Sequence, residues 1–281
     1  MYFLKPSLCL LIIIKSNIIF SQTSSFSYPW LNHKKIFETI ESRFPPHSGF
    51  QRVRVPPSSF SQWLRGLPLL PDSTPVRDYL GQIKVKAKDT TLAAVINYNI
   101  RGKKLEQCMD IINRFRAEYL RSHNRHEKIA FYLPTNFLLK WSDWKQGFRP
   151  HHQGIKITLV KNHPPDSSLA CYEKYLWEIF YHSNSQTAYF NFPKIEPENI
   201  QIGDFIVNKG RRGHAVLIVD LATDSSGNKI ALIGQGGTPA QQFYLLNYEK
   251  GHPWFPVNSD DEYPPLPIKK KMYWIGLRRF E

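Results

Sequence analysis

The chain has 281 residues, of which 42% are hydrophobic and 14% aromatic, and its formal net charge is +14. These values exclude a disordered chain, and three cysteines are too few for a small protein built on a disulfide framework. The positive charge favours an anionic partner, such as an envelope polymer or a membrane surface, and a generally basic, solvated surface is the alternative. We do not expect nucleic acid binding, because no recognised nucleic-acid motif accompanies the charge.

The first 22 residues have the pattern of a secretory signal peptide. Lys5 provides a positive start, residues 8–14 are apolar, and Lys15 interrupts the apolar stretch. The interruption leaves the segment too short for a comfortable membrane span, and an uncleaved anchor is the alternative. We therefore expect an exported protein, periplasmic or at the cell surface, with one α+β domain over residues 23–281. Without the signal peptide, its net charge is +12 and no stable membrane span remains.

The first hundred residues contain several short predicted elements. They are a helix over 31–43, a strand over 50–55, a short helix capped by Ser58 or Ser59, and strands over 83–87 and 92–100. The last of these strands contains no charged residue, which predicts a central, buried position in a sheet.

Residues 103–121 form the clearest predicted helix. Its apolar stripe at helical spacing consists of Leu105, Cys108, Ile112, Phe115 and Tyr119. This pattern places Cys108 in the second turn, near the helix N-terminus, where exposed amides and the helix dipole favour a thiolate. A small apolar cysteine on the core side of a helix is the structural alternative.

The following region offers mostly structural patterns. Strands are predicted over 128–133, 155–160, 229–234, 243–246 and 272–277, a helix capped by Ser167 or Ser168 extends to residue 181, and an acidic, proline-rich loop occupies 251–267. Trp141 and Trp144 flank a predicted turn that ends at 147–150, where they either line a cleft or, by default, pack in the core. His151 and His152 could bind a metal ion, but no third ligand has a readable spacing, so we predict no metal and no other cofactor.

The second cysteine left after signal removal is Cys171, which lies on the predicted helix that ends at residue 181. We interpret it as a structural residue. One disulfide between Cys108 and Cys171 is possible in an exported protein. The alternative is a pair of free thiols, which would require an explanation in an oxidising compartment.

Residues 202–220 predict two strands around a tight basic turn. The first strand covers 205–207, Gly-Arg-Arg-Gly turns the chain at 210–213, and a β-branched run at 215–219 predicts a buried strand. His214 lies where the second strand leaves the turn, and it suits either proton transfer or a structural role at a strand end. If the next hairpin folds about 224–226, Gln235 lies close to His214 and could orient its imidazole.

Several short motifs together resemble an uncharacterised exported bacterial family, domain of unknown function 4846. They are WLRGLPL at 63–69, QC at 107–108, RAEYL at 116–120, the segment 141–147, GD at 203–204, GHAV at 213–216, PAQ at 239–241 and LRRF at 277–280. The resemblance extends over nearly the whole chain from about residue 44. This family has no established reaction that the resemblance could imply for the chain.

The order Gly-Asp, strand, Gly-His, strand is also similar to the core of papain-like cell-wall hydrolases of the NlpC and CHAP types. This resemblance implies that Cys108 is a thiolate nucleophile, His214 is the base and then the acid, and Gln235 orients the imidazole. It also implies an acyl-enzyme intermediate. The chain departs from these enzymes because it lacks their nucleophile signature and has its cysteine a turn inside the predicted helix. About ninety residues also separate Cys108 from Gly203, more than is usual there.

The predicted fold is therefore α+β, a largely antiparallel sheet with packed helices in a papain-like arrangement, with its core from about residue 92. The predicted function is an exported cysteine hydrolase that cleaves an amide bond in envelope or cell-wall material. A phospholipid or other ester substrate is a weaker alternative. The alternative from another class is a non-catalytic envelope-binding protein that uses a basic surface on the same scaffold.

Overall fold

The computed structural model describes residues 28–31, 36, 38–210 and 213–281. The predicted signal peptide and the two arginines of the turn before His214 lie outside these residues. The helices are α1 (Ile40–Arg43), α2 (Phe60–Arg65), α3 (Cys108–Ser122), α4 (Trp141–Lys145), α5 (Leu169–His182) and α6 (Ser185–Asn191).

Fourteen strands are present in the described residues. They are β1 (Gln51–Arg52), β2 (Val76–Arg77), β3 (Ile83–Val85), β4 (Leu92–Val95), β5 (Ala130–Leu133), β6 (Phe137–Lys140), β7 (Phe148–Gln153), β8 (Lys156–Lys161), β9 (Phe205–Asn208), β10 (His214–Thr223), β11 (Lys229–Gln235), β12 (Tyr244–Leu246), β13 (Trp254–Val257) and β14 (Leu277–Arg278).

Eight of the strands form one open sheet. Its main order is β14-β9-β10-β11-β12-β4, with β1 added to β10 and β13 added to β11. Every ladder in it is antiparallel. The mixed fold with a large antiparallel sheet confirms the coarse α+β prediction. Three two-stranded ribbons, β2–β3, β5–β6 and β7–β8, lie outside this sheet.

Strand β10 lies at the centre of the fold because its sequence is apolar on both faces. Residues 215–219 are Ala-Val-Leu-Ile-Val and are all fully buried. Helices α2 and α3 both contact this strand. The sheet and these two helices therefore share one core, and α3 is held directly beside the strand that begins at His214.

Strand β4 is a correction to the sequence analysis. It covers only Leu92–Val95 and lies at one end of the strand order, next to β12, and not in the centre. Ala94 and Val95 are nevertheless buried, because other parts of the chain pack on them. The absence of charged residues in a strand therefore indicates burial. Burial alone does not decide the position of the strand within the sheet.

The early elements are shorter than predicted. The helix expected over 31–43 is α1 alone, since the Thr39 hydroxyl accepts a hydrogen bond from the Ser42 amide and starts the helix there. Part of that predicted helix lies outside the described residues. The strand expected over 50–55 is only β1. The prediction for α2 is confirmed, with Ser59 as its cap.

Other elements differ from the predictions or were missed. The turn expected at 147–150 is the start of β7, and the acidic loop contains β13 despite Pro256. Pro256 is paired at an outer strand of the sheet, a position where proline is tolerated. Trp141 and Trp144 lie on α4 and are buried, so the packing interpretation is the correct one.

A buried guanidinium connects α3 to α5. Arg114 is 1% exposed, and its nitrogens lie 2.8 Å from Glu106, 3.2 Å from Glu118 and 2.6 Å from Glu173. Removing one partner of such a buried cluster is costly, because the remaining charge has no other solvation. The two helices are therefore held together by charge as well as by apolar packing.

A second buried ion pair fastens the N-terminal elements to the sheet. Asp220 of β10 is 0% exposed and lies 2.5 Å from Arg65 of α2 and 2.6 Å from Arg52 of β1. Among the described residues, no helix has the length and apolar character that crossing a membrane requires.

Candidate active site

Cys108 is the first residue of α3, which corrects the predicted helix start at residue 103. Residues 103–106 form a turn in which the Glu106 amide donates to the Lys103 carbonyl. Gln107 is extended and its amide donates to the Asp110 carboxylate at 3.1 Å. The first hydrogen bond into the helix runs from the Ile111 amide to the Gln107 carbonyl, so the amides of residues 108–110 have no partner within the helix.

Both described cysteines are free thiols, which excludes the predicted alternative of a disulfide between them. Cys171 lies on α5, where its sulfur is 3.9 Å from Arg149 Nη2. Cys108 is 6% exposed and Cys171 is 3% exposed. The two residues are therefore similar in burial and differ in their place on their helices.

His214 and Gln235 form a hydrogen-bonded pair at the end of the sheet. His214 is the first residue of β10 and Gln235 the last residue of β11, and these strands are neighbours. His214 Nε2 lies 2.6 Å from Gln235 Oε1, and Gln235 Nε2 donates to the Tyr244 hydroxyl at 2.5 Å. Because an amide oxygen only accepts, this arrangement puts the imidazole proton on Nε2 and leaves Nδ1 as the basic nitrogen.

Cys108, His214 and Gln235 line one cavity of about 930 Å³. Its lining also includes Lys269 and Lys270, which add positive charge to the cavity. The cavity is large enough for a small-molecule or polymer segment. The three residues singled out from the sequence are thus brought to a common site.

Burial keeps the thiol and the imidazole neutral. It raises the pKa of Cys108 above its ordinary value, although the amides of Ala215 and Met109 and the Thr238 hydroxyl oppose this by favouring the thiolate. Burial also lowers the pKa of His214, which the bond to Gln235 opposes and the nearby charge of Lys270 reinforces. The helix N-terminus therefore favours a thiolate, as expected, but desolvation is the larger effect.

A glycine allows the sheet to approach the cysteine closely. A Cβ at Gly236 would lie 3.6 Å from the Cys108 Cα and 2.9 Å from Ile111 Cγ2. A side chain here would force the Ile111 side chain or the first turn of α3 to shift. Gly236 thus permits the distance between the cysteine helix and the strand that carries Gln235.

Three residues near the site were not singled out from the sequence. Tyr244 lies opposite Gln235 in the β11–β12 ladder, so a correct pairing register would have revealed it. Thr238 donates to the Gln107 side chain at 2.9 Å and lies close to the Cys108 thiol. Lys270 belongs to a visible run of lysines, but nothing in the sequence indicates that this run reaches His214.

Comparison with known proteins supplies a family. No curated protein and no solved structure is significantly similar to the chain. The model of the family described as "Domain of unknown function (4846)" matches residues 40–267, which is most of the chain and includes Cys108, His214 and Gln235. The chain therefore belongs to the family of domain of unknown function 4846.

Proposed function

We propose that the protein is an exported cysteine hydrolase that cleaves an amide bond in anionic envelope material, such as cell-wall peptide. The observation that carries this proposal is the placement of Cys108 and His214 in one cavity. Cys108 is a free thiol at the first position of α3, and Nε2 of His214 is hydrogen-bonded to Gln235. A nucleophile, a base and a group that orients the base are the parts that thiol hydrolysis requires.

In the first half of the reaction, His214 Nδ1 accepts the thiol proton while Cys108 Sγ attacks the amide carbon. The carbonyl oxygen becomes an oxyanion, and the free amides at the N-terminus of α3 are suited to stabilise it. The C–N bond then breaks as the imidazolium returns its proton to the leaving amine. A thioester on Cys108 remains.

In the second half, water attacks the thioester carbon and His214 Nδ1 takes a proton from it. The C–S bond breaks, the acid product leaves, and the imidazolium gives the proton back to the thiolate. Gln235 holds the imidazole throughout by accepting from Nε2–H. A resting pair of neutral thiol and neutral imidazole suits this sequence, because proton transfer then accompanies attack.

The charge of the cavity supports the choice of an anionic polymer. Lys269 and Lys270 lie at its wall, and the whole chain carries a formal net charge of +14. Cell-wall peptides combine amide bonds with free carboxylates, so attraction to the lysines would bring the amide toward Cys108. Export rests on the signal-like pattern of the first 22 residues.

A non-catalytic envelope-binding protein is the second candidate, and one observation favours it. Burial raises the pKa of Cys108, which lowers the fraction of reactive thiolate at neutral pH. In that case the basic cavity alone carries the function by holding an anionic chain.

The deciding experiment incubates the purified protein with isolated peptidoglycan and measures new amino groups and the mass of the Cys108 peptide. We expect amide cleavage and a transient acyl adduct on Cys108, both lost in Cys108→Ala and reduced at least about a hundredfold in His214→Ala. Cys171→Ala is the matched control, since it removes an equally buried helical thiol. Cleavage that persists in Cys108→Ala contradicts the proposal. Equal polymer binding without cleavage by the wild type and Cys108→Ala supports the binding protein instead.

A further inference from the structure

Two histidines and a glutamate meet on the surface between the β7–β8 ribbon and α5. His152 lies on β7, while Glu178 and His182 are one helical turn apart on α5. Glu178 Oε1 lies 3.3 Å from His182 Nε2 and 3.8 Å from His152 Nε2. One ligand atom from each of the three residues lies within 4.8 Å of the others.

These separations are close to those of a tetrahedral metal site. Zinc ligands at about 2.0–2.2 Å from the ion are about 3.3–3.6 Å apart along the edges of a tetrahedron. The distance between Glu178 and His182 already has this value, and that between Glu178 and His152 exceeds it only slightly. The two imidazole rings are stacked, with centroids 4.3 Å apart and planes at 21°, and the Nε2 atom of each lies near the Glu178 carboxylate. Because the lone pair on Nε2 lies in the plane of its ring, the rings have to turn out of this stack for both to bind one ion.

We propose that His152, Glu178 and His182 bind a divalent transition-metal ion of the zinc type. Two imidazoles and one carboxylate suit zinc, whereas magnesium and calcium prefer oxygen ligands alone. The three side chains are between 26% and 33% exposed, so an ion can enter from solvent without opening the core. With three protein ligands, the fourth position is open to water.

Such an ion would connect two parts of the chain that the sheet leaves separate. Within the described residues, β7 and β8 pair only with each other. The turn between them carries the strongly exposed Ile155. His182 also lines the cavity that contains Cys108. The metal would therefore fix the ribbon to α5 at the edge of the candidate active site.

The sequence shows only part of this site. His151 and His152 are a recognisable pair in the sequence, but their side chains lie on opposite faces of β7, as those of adjacent strand residues do. Only His152 belongs to the cluster. The other two ligands come from a distant helix, where Glu178 and His182 have the i, i+4 spacing that places them on one face.

The test is zinc titration of the metal-free protein in a Cys108→Ala background, which removes the thiol of the cleft as a competing ligand. The protein carries no histidine tag, and zinc binding is followed by calorimetry and by competition with a fluorescent zinc indicator. We expect one equivalent of zinc to bind. Each of His152→Ala, Glu178→Gln and His182→Ala should weaken binding by at least about a hundredfold, since changes to outer-shell groups alone cost about 10–100-fold.

His151→Ala is the matched control, because it removes an exposed histidine from the adjacent position of the same strand. It should leave zinc affinity unchanged. Zinc should also slow proteolysis at the turn around Ile155 in the background protein and in His151→Ala, but not in the three ligand variants. Absence of saturable binding, or equal affinity in the ligand variants and the control, overturns the proposal. Circular dichroism of each variant shows that any loss does not come from unfolding.

Discussion

The imidazole of His214 is held through Nε2 by the side-chain oxygen of Gln235 at a distance of 2.6 Å. The amide is neutral, so it orients the ring without strongly favouring the imidazolium. Burial then sets the pKa of His214 below its ordinary value. The imidazole is consequently neutral in neutral solution, and a second proton binds to it only in more acidic solution than to a free histidine.

Replacing Gln235 by glutamate is expected to reverse this shift. A carboxylate at the same position favours the charged ring, so the pKa of His214 should rise above that of the wild type. Proton NMR of the histidine ring signals, with His214→Ala for assignment, measures the change. Gln235→Ala is the comparison variant, and it should lower activity by about 10–100-fold without raising this pKa. An unchanged titration in Gln235→Glu would contradict the assigned contact.

The alkylation of Cys108 should need more alkaline solution than that of an unstructured cysteine. Its pKa is raised, so the folded state disfavours the thiolate, and reactivity appears only as the pH rises through this higher value. Iodoacetamide labelling as a function of pH, read by peptide mass, gives the midpoint. Labelling in urea supplies the reference, because unfolding removes the burial. A midpoint below that of the unfolded chain would show that the helix N-terminus outweighs desolvation.

Gly236→Ala should separate the cysteine helix from the strand that carries Gln235. The added methyl group would lie 2.9 Å from Ile111 Cγ2, so either this side chain or the start of α3 has to shift, and overpacking of this kind costs about 1–3 kcal/mol. We expect lower stability in urea and a changed labelling rate of Cys108. Gly237→Ala is the neighbouring comparison, since the three atoms nearest its Cβ all belong to the Gln241 side chain and none to α3. Equal effects of the two variants would argue against a specific role for Gly236.

Asp220→Ala should destabilise the whole fold. It leaves Arg52 and Arg65 without their common carboxylate at the centre of the sheet, and loss of one partner of a buried pair costs about 3–5 kcal/mol. Urea denaturation measures this loss. Glu196→Ala breaks only the exposed pair with Lys194 and should change stability by less than about 0.5 kcal/mol. Similar losses of stability in the two variants would show that burial does not strengthen the ion pairs of Asp220.

The sequence singled out three residues that line one cavity in the structure, although it placed Cys108 a turn inside its helix. Cys108 follows a turn and starts an apolar helix, while His214 and Gln235 begin and end neighbouring β-branched strands. The start of α3 was placed too early because apolar spacing continues into the preceding turn. That boundary is decided by the bond from the Gln107 amide to the Asp110 carboxylate, which periodicity does not reveal.

Contacts between segments that are distant in sequence could not be predicted from such local patterns. Strand β4 looks central because it is apolar, yet its place in the sheet depends on which strand pairs with it. Lys270 and His214 are far apart in sequence, and so are His152 and Glu178. Their proximity follows from the packed fold, and single-chain patterns carry information only about neighbours within one helix or hairpin.

The ion cluster around Arg114 has a mechanical consequence for the cleft. Its guanidinium joins α3, which begins with Cys108, to Glu173 of α5, which ends with His182. Both helix ends border the cavity, so the ion cluster joins two parts of its lining. Another part of the lining, at 268–270, has no regular secondary structure and carries the exposed Lys269 and Lys270. The cavity thus combines a side braced by a buried ion cluster, where Cys108 lies, with a positively charged side that lies outside the helices and strands.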